Sequence, residues 1–292
     1  MGGGSWDRAS YTTYSASVGR SVSLDGSVSG TYSAQDMFSQ RGISSELNPM
    51  NVIRECCDSE EHPNTFPVIL GLDVTGSMGD SAVEVAKKLN VIMTKLYENV
   101  SDVEFMIMGI GDLAYDSAPI QASQFESDIR IAEQLDKIWF EGCGGGNSYE
   151  SYTAAWYFGT RHAKLDCWNR GKKGLIITMG DEIINPYLPS DKIKRFVGDN
   201  LQGDVETADL YREASEKYDI YHLVVDHGYY SHMRADENAK SFEKYLGKNN
   251  VKTVTLQDIS DVIIDIVMSV YDGNGTSTVN ESNDSVVGTI SW

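Results

Sequence analysis

Pro67-Val68-Ile69-Leu70-Gly71-Leu72-Asp73-Val74-Thr75-Gly76-Ser77-Met78 joins an unbroken apolar run to a carboxylate and two hydroxyls at alternate positions. The apolar run predicts a strand buried on both faces. A helical pattern follows over Ser81–Glu98, where Val85, Ala86, Leu89, Ile92 and Leu96 recur near helical spacing. Asp73, Thr75 and Ser77 therefore fall in the turn between a buried strand and a helix. Oxygen-only donors suit a hard cation, and such turns are where α/β sheets bind ligands. Alone, the triplet has a second explanation, because Asp, Ser or Thr ahead of a helix is also a good N-cap.

Outward from this stretch, strand and helix patterns alternate. Strands are expected at Val103–Ile110, Lys173–Met179, Ile220–Asp226 and Val251–Thr255, with a short strand or hairpin within Tyr115–Phe125. Helices are expected over Ser127–Ile138, from about Tyr149 to His162, near Ser190–Val197, and over Thr207–Lys217, Glu237–Leu246 and Ile259–Val270. Such alternation predicts an α/β fold: a doubly wound, mostly parallel central sheet with helices on both faces.

The flanks differ. Residues 1–50 are rich in Ser, Gly, Tyr and Thr and predict an exposed N-terminal arm, with a hairpin signal at Asp25-Gly26; an arm that docks on a partner or a neighbouring subunit is the alternative. Residues 51–66 form a charged connector, 67–272 the main domain, and 273–292 a polar tail whose end, Ser285–Trp292, is expected to stay unpaired.

The chain has 292 residues, 41% of them hydrophobic, and 43 acidic against 24 basic residues give a net charge of −19. That balance argues against nucleic acid or an anionic membrane as partner. No apolar window is long enough to span a membrane, and no signal-peptide pattern opens the chain. Cys56, Cys57, Cys143 and Cys167 form no CxxC pair. Reduced thiols and a cytoplasmic location are the expectation.

Four loops at predicted strand ends carry chemistry: Asp73-x-Thr75-x-Ser77, the glycine-rich Glu141–Asn147 running into Ser148 and Glu150, Gly180-Asp181-Glu182, and Asp226-His227. The first three supply oxygen donors from three separate strand ends, as Mg²⁺ or Mn²⁺ requires. Asp226-His227 reads as a structural or surface pair.

With these motifs the chain resembles the von Willebrand factor A (VWA) family over residues 67–271. Asp73, Thr75 and Ser77 are similar to the Asp-x-Ser-x-Ser motif of its metal-ion-dependent adhesion site (MIDAS), Thr75 keeping the hydroxyl. Asp181 stands where the family has its later Asp, here preceded rather than followed by glycine. The family's Gly-Gly-Thr-Asp motif is replaced by Gly144-Gly145-Gly146-Asn147-Ser148-Tyr149-Glu150-Ser151. Holding the next helix in register on Ala154-Ala155-Trp156 puts Glu150 at the Thr position. Counting from the glycines puts Asn147 or Ser148 there. Glu150 is preferred, because a carboxylate at the helix start reaches a metal. The resemblance thus implies a Mg²⁺ or Mn²⁺ site of Asp73, Thr75, Ser77, Glu150 and Asp181, with Asn147, Ser148 and Glu182 as further candidates.

The resemblance also implies a protein-binding scaffold rather than an enzyme, in which an acidic side chain of the partner completes the metal sphere. Glu150 leaves open whether that position is free. Intracellular members work beside AAA+ ATPases or in large assemblies. A structural or assembly subunit, of a phage or virus for example, with a purely structural metal is the alternative. A haloacid-dehalogenase-like phosphatase is a weaker rival, since Thr75 replaces its second Asp and Asn185 its last carboxylate. Gly109-x-Gly111 mimics a dinucleotide fingerprint, but Pro119 follows where a helix would have to start. Cys56, Cys57 and His62 lack a fourth zinc ligand.

Overall fold

The structure is a computed structural model describing residues 4–100, 102–142 and 149–276. Six strands form the central sheet: β1 (Phe66–Asp73), β2 (Val103–Ile110), β3 (Ile120–Ala122), β4 (Gly174–Gly180), β5 (Tyr218–Val225) and β6 (Val251–Val254). Their order is β6-β5-β4-β1-β2-β3, all parallel except edge strand β3. This is the doubly wound arrangement: strand order runs outward in both directions from a switch between β1 and β4.

Both faces are covered. Helices α2 (Gly79–Tyr97), α3 (Arg130–Leu135) and α8 (Ile259–Thr276) pack on one face, through Leu89, Ile131 and Ile263 among others. Helices α4 (Thr153–Arg161), α5 (Ser190–Phe196), α6 (Thr207–Ser215) and α7 (Tyr229–Leu246) cover the other, through Trp156, Ile193, Leu210 and Phe242. Strand β1 serves both cores: Val68, Leu70 and Leu72 point one way and Ile69 the other. A period of two with both faces buried is why its sequence is a continuous apolar run.

The N-terminal segment is docked, which corrects the expectation of an exposed arm. Its helix α1 (Arg8–Ser17) and its Trp6, Tyr11, Met37, Phe38 and Leu47 belong to the same core as α2. Trp6 Nε1 donates to the buried Asn90 Oδ1 at 3.0 Å, and Asn90 Nδ2 donates to the Gly26 carbonyl at 3.0 Å. Arg20 and Tyr14 both bind Asp136. A few well-spaced aromatics around one polar anchor suffice to hold a segment whose overall composition is polar. The hairpin at Asp25-Gly26 is reduced to a single bridge, Val22 to Val28.

Helix α4 begins at Thr153, not Tyr149. Tyr149–Glu150 is extended and pairs in parallel with Ile183–Ile184. Helix α7 begins at Tyr229, eight residues before its expected start, because its first turn shows solvent Tyr229, Tyr230 and Met233 and so lacks an apolar stripe. The connector contributes a strand, Arg54–Cys56, paired with Ala163–Leu165. The tail-end segment Ser285–Trp292 lies outside the described residues.

Candidate metal centre

Register places the site. Leu72 pairs with Met179 across β1 and β4, so Asp73 ends its strand beside Gly180-Asp181. Asp73 and Asp181 thus flank the switch point of the sheet, where an α/β crevice opens.

Asp73, Thr75 and Asp181 are buried, while Ser77 is exposed and forms the solvent side of the cluster. Asp73 Oδ1 accepts from the Thr75 main-chain N at 2.9 Å and from Thr75 Oγ1 at 2.5 Å. Its Oδ2 accepts from the Tyr152 hydroxyl at 2.7 Å. Ser77 Oγ donates to Asp181 Oδ1 at 2.9 Å, and His227 Nε2 lies 3.2 Å from Asp181 Oδ2. Asn238 of α7 donates to the Asp181 carbonyl and holds that loop down.

Helix capping does not account for the motif. Thr75 precedes a 3₁₀ turn at Gly76–Met78, Met78 precedes α2, and neither makes a side-chain capping bond. Instead, the Thr75 side chain bonds to Asp73 and the Ser77 side chain to Asp181.

Burial pushes the Asp73 carboxyl up to about 7, with the neighbouring Asp181 charge adding to the rise and the bonds from Thr75 and Tyr152 opposing it. Burial pushes Glu150 up to about 10, and Asp73, Asp112, Asp116 and Glu182 raise it further. The hydrogen bond to Asp181 raises His227 against the effect of its burial. Two acids therefore resist ionisation here, chiefly because they are buried and next because neighbouring carboxylates repel their charge.

Of the residues singled out by sequence, Asp73, Thr75, Ser77 and Asp181 come together. Glu150 is buried on the short strand beside the Asp181 loop, not on a helix start, and it couples to Asp73 through charge. Its Oε2 is buried without a hydrogen-bond partner, as is Asp112 Oδ2. The Glu182 carboxylate pairs with Arg234 at 2.7 Å, which turns it away from a ligand role. Asn147 and Ser148 lie outside the described residues.

Tyr152 escaped the sequence: it reads as one more aromatic in a core stretch, and only the fold brings it to Asp73. His227 stands out in the sequence by its place after a buried strand but reads there as part of a structural or surface pair; the structure sets it against Asp181.

Among the described residues no group of three or more His, Cys, Asp and Glu side chains is disposed to hold a cation by itself. The donor set instead mixes the carboxylates of Asp73 and Asp181 with the hydroxyls of Thr75 and Ser77. That composition fits a hard divalent cation that keeps several waters, and the orphaned Glu150 oxygen supplies a further buried acceptor nearby. The order Ser77–Asp181–His227 has the carboxylate in the middle. In a hydrolytic triad the imidazole stands there, to take the nucleophile's proton.

No protein-family model and no curated protein matches the chain. Solved structures do. The pilus adhesin SpaC from Lactobacillus rhamnosus GG, in its open conformation, aligns with a TM-score of 0.50 at 11% identity, over 77% of this chain and 31% of the adhesin. The chain thus spans less than a third of that protein. The vWF domain of the type V pili tip protein Mfa5 from Porphyromonas gingivalis aligns at 0.48, with 10% identity over 75% of this chain and 99% of that domain. Proximal thread matrix protein 1 from the mussel byssus aligns at 0.46, with 11% identity over 74% of this chain and 49% of that one. The strand order and the SpaC alignment show a doubly wound fold of the VWA-like kind that the sequence resembles.

Proposed function

We propose that the chain is a divalent-metal-dependent protein-binding module that recognises its partner through Mg²⁺, or Mn²⁺, held by Asp73, Thr75, Ser77 and Asp181 with Glu150 beside them. The observation that carries this reading is the pairing of two buried carboxylates and two hydroxyls at the switch point, with none of the side chains used as a helix cap. A bound dication supplies the positive charge that this cluster lacks and an open coordination position for a carboxylate of the partner.

The surroundings suit a protein partner. Tyr229, Tyr230 and Met233 are exposed by 74%, 83% and 66% on the first turn of α7, two to six residues beyond His227. Exposed aromatic and Met side chains clustered beside a polar site are the composition of an interface centre. Among the described residues Cys56, Cys57 and Cys167 are free thiols.

Calorimetric titration of the folded protein with Mg²⁺ tests the site. Saturable heat is expected from the wild type and none from Asp73→Ala. Capture of partners with and without EDTA tests the function: binding that survives both EDTA and Asp73→Ala refutes metal-mediated recognition.

A further inference from the structure

We infer that Tyr152 is a positioning residue that limits Asp73 to a single free lone pair, and so biases the site toward Mg²⁺ over Ca²⁺. This rests on the metal-site reading above. A carboxylate oxygen has two lone-pair directions. Asp73 Oδ1 has both occupied, by the Thr75 main-chain N–H and hydroxyl. Asp73 Oδ2 has one occupied by the Tyr152 hydroxyl at 2.7 Å. One lone pair remains for a cation or for a water bound to it.

The phenol is not free to withdraw. Tyr152 is fully buried, with its ring 5.1 Å from that of His222 and 5.5 Å from that of Phe242. Its oxygen also accepts from the Glu182 main-chain N at 3.3 Å, tying the end of β1 to the loop after β4. Gly180 lies directly beneath: a Cβ there would stand 1.9 Å from the Tyr152 oxygen. The sequence thus leaves Gly180 bare where the phenol passes to reach Asp73.

The consequence follows from the two ions' coordination habits. Ca²⁺ takes six to eight oxygens and readily accepts a bidentate carboxylate, whereas Mg²⁺ is octahedral, keeps waters and uses single carboxylate oxygens. An Asp73 locked by hydrogen bonds on both oxygens cannot turn to chelate. Removing the Tyr152 hydroxyl frees both lone pairs of Oδ2, so that a two-oxygen grip then requires the carboxylate to give up only a Thr75 bond on Oδ1.

The test is a pair of titrations, with Mg²⁺ and with Ca²⁺, on wild type, Tyr152→Phe and Phe242→Leu, followed by calorimetry and by the shift in melting temperature. Tyr152→Phe is expected to move the Ca²⁺/Mg²⁺ affinity ratio toward Ca²⁺ by about five-fold or more, the equivalent of about one hydrogen bond. Phe242→Leu loosens the same cage but keeps the hydroxyl, so it should lower stability and leave the ratio alone. A merely structural Tyr152 would give both variants the same ratio as wild type, which overturns the inference while the metal site stands. Absence of binding by either ion to the wild type overturns the site and the inference together.

Discussion

Gly180→Ala is the most exacting perturbation of this site, because its cost can be worked from one contact. The added methyl carbon would lie 1.9 Å from the Tyr152 oxygen and 2.3 Å from the carbon that bears it. Both atoms are rigid ring substituents, and the ring is boxed by His222 and Phe242. Either β4 shifts or Tyr152 is expelled from Asp73. Overpacking of a tight core costs about 1–3 kcal/mol. Breaking a hydrogen bond to a buried carboxyl adds about 1.5–3 kcal/mol. Together these give a loss of about 2.5–6 kcal/mol in urea unfolding. Gly42→Ala and Gly203→Ala, where nothing lies within 4 Å, should stay within about 0.5 kcal/mol of wild type. In the double variant with Tyr152→Ala the methyl has room, so the two losses should fall short of additivity by at least about 1 kcal/mol. A Gly180→Ala protein within about 1 kcal/mol of wild type, or strict additivity in the double variant, would refute the packing of Tyr152 on Gly180.

Three further outcomes are expected. In EDTA, the Asp73 carboxyl, raised from 3.8 to about 7, keeps its proton in the folded state after the unfolded chain has lost it. The stability difference between wild type and Asp73→Asn should therefore fall by about 4 kcal/mol as pH rises from about 4 to 7 and level off above, with Mg²⁺ restoring it at the upper end; urea titrations across that range that show equal slopes would refute it. Trp6→Ala removes a buried ring and its bond to Asn90 and should cost about 3 kcal/mol in thermal or urea unfolding, whereas an exposed arm would leave stability unchanged. Replacing Tyr229, Tyr230 and Met233 by Ser should leave stability within about 0.5 kcal/mol per site yet abolish partner capture; retained capture would remove this rim from the interface.

Much of this was legible in the chain because it was local. Strand β2 occupies the expected Val103–Ile110, since a strand buried on both faces announces itself as an apolar run. Asp73, Thr75 and Ser77 were legible because they punctuate such a run, and Asp181 because it punctuates another. The rest depended on distant partners. Glu150 lies on a strand only because Ile183–Ile184 pairs with it. The Tyr152–Asp73 bond spans 79 residues and nothing in the surrounding aromatics marks it. The docking of residues 4–47 turns on Asn90, one of several polar residues in an amphipathic helix, which nothing in the sequence distinguishes until Trp6 and Gly26 are found against it.

The placement of charge explains why so acidic a chain concentrates buried acids at one end of its sheet. A carboxyl in a dry crevice is driven toward its neutral form, and a second one beside it is driven further. Asp73 and Glu150 show both effects. The protein offers little to offset them: hydroxyls from Thr75, Ser77 and Tyr152, and one imidazole at Asp181. The guanidinium of Arg234 is held by Glu182, on the other side of the Asp181 loop. A cluster kept short of positive charge folds at a cost to stability, and that cost falls when a dication binds and the protons leave. On the metal reading proposed above, cation binding, proton release and stability would be linked at Asp73, and the Tyr152 hydroxyl would decide how much of that carboxylate takes part.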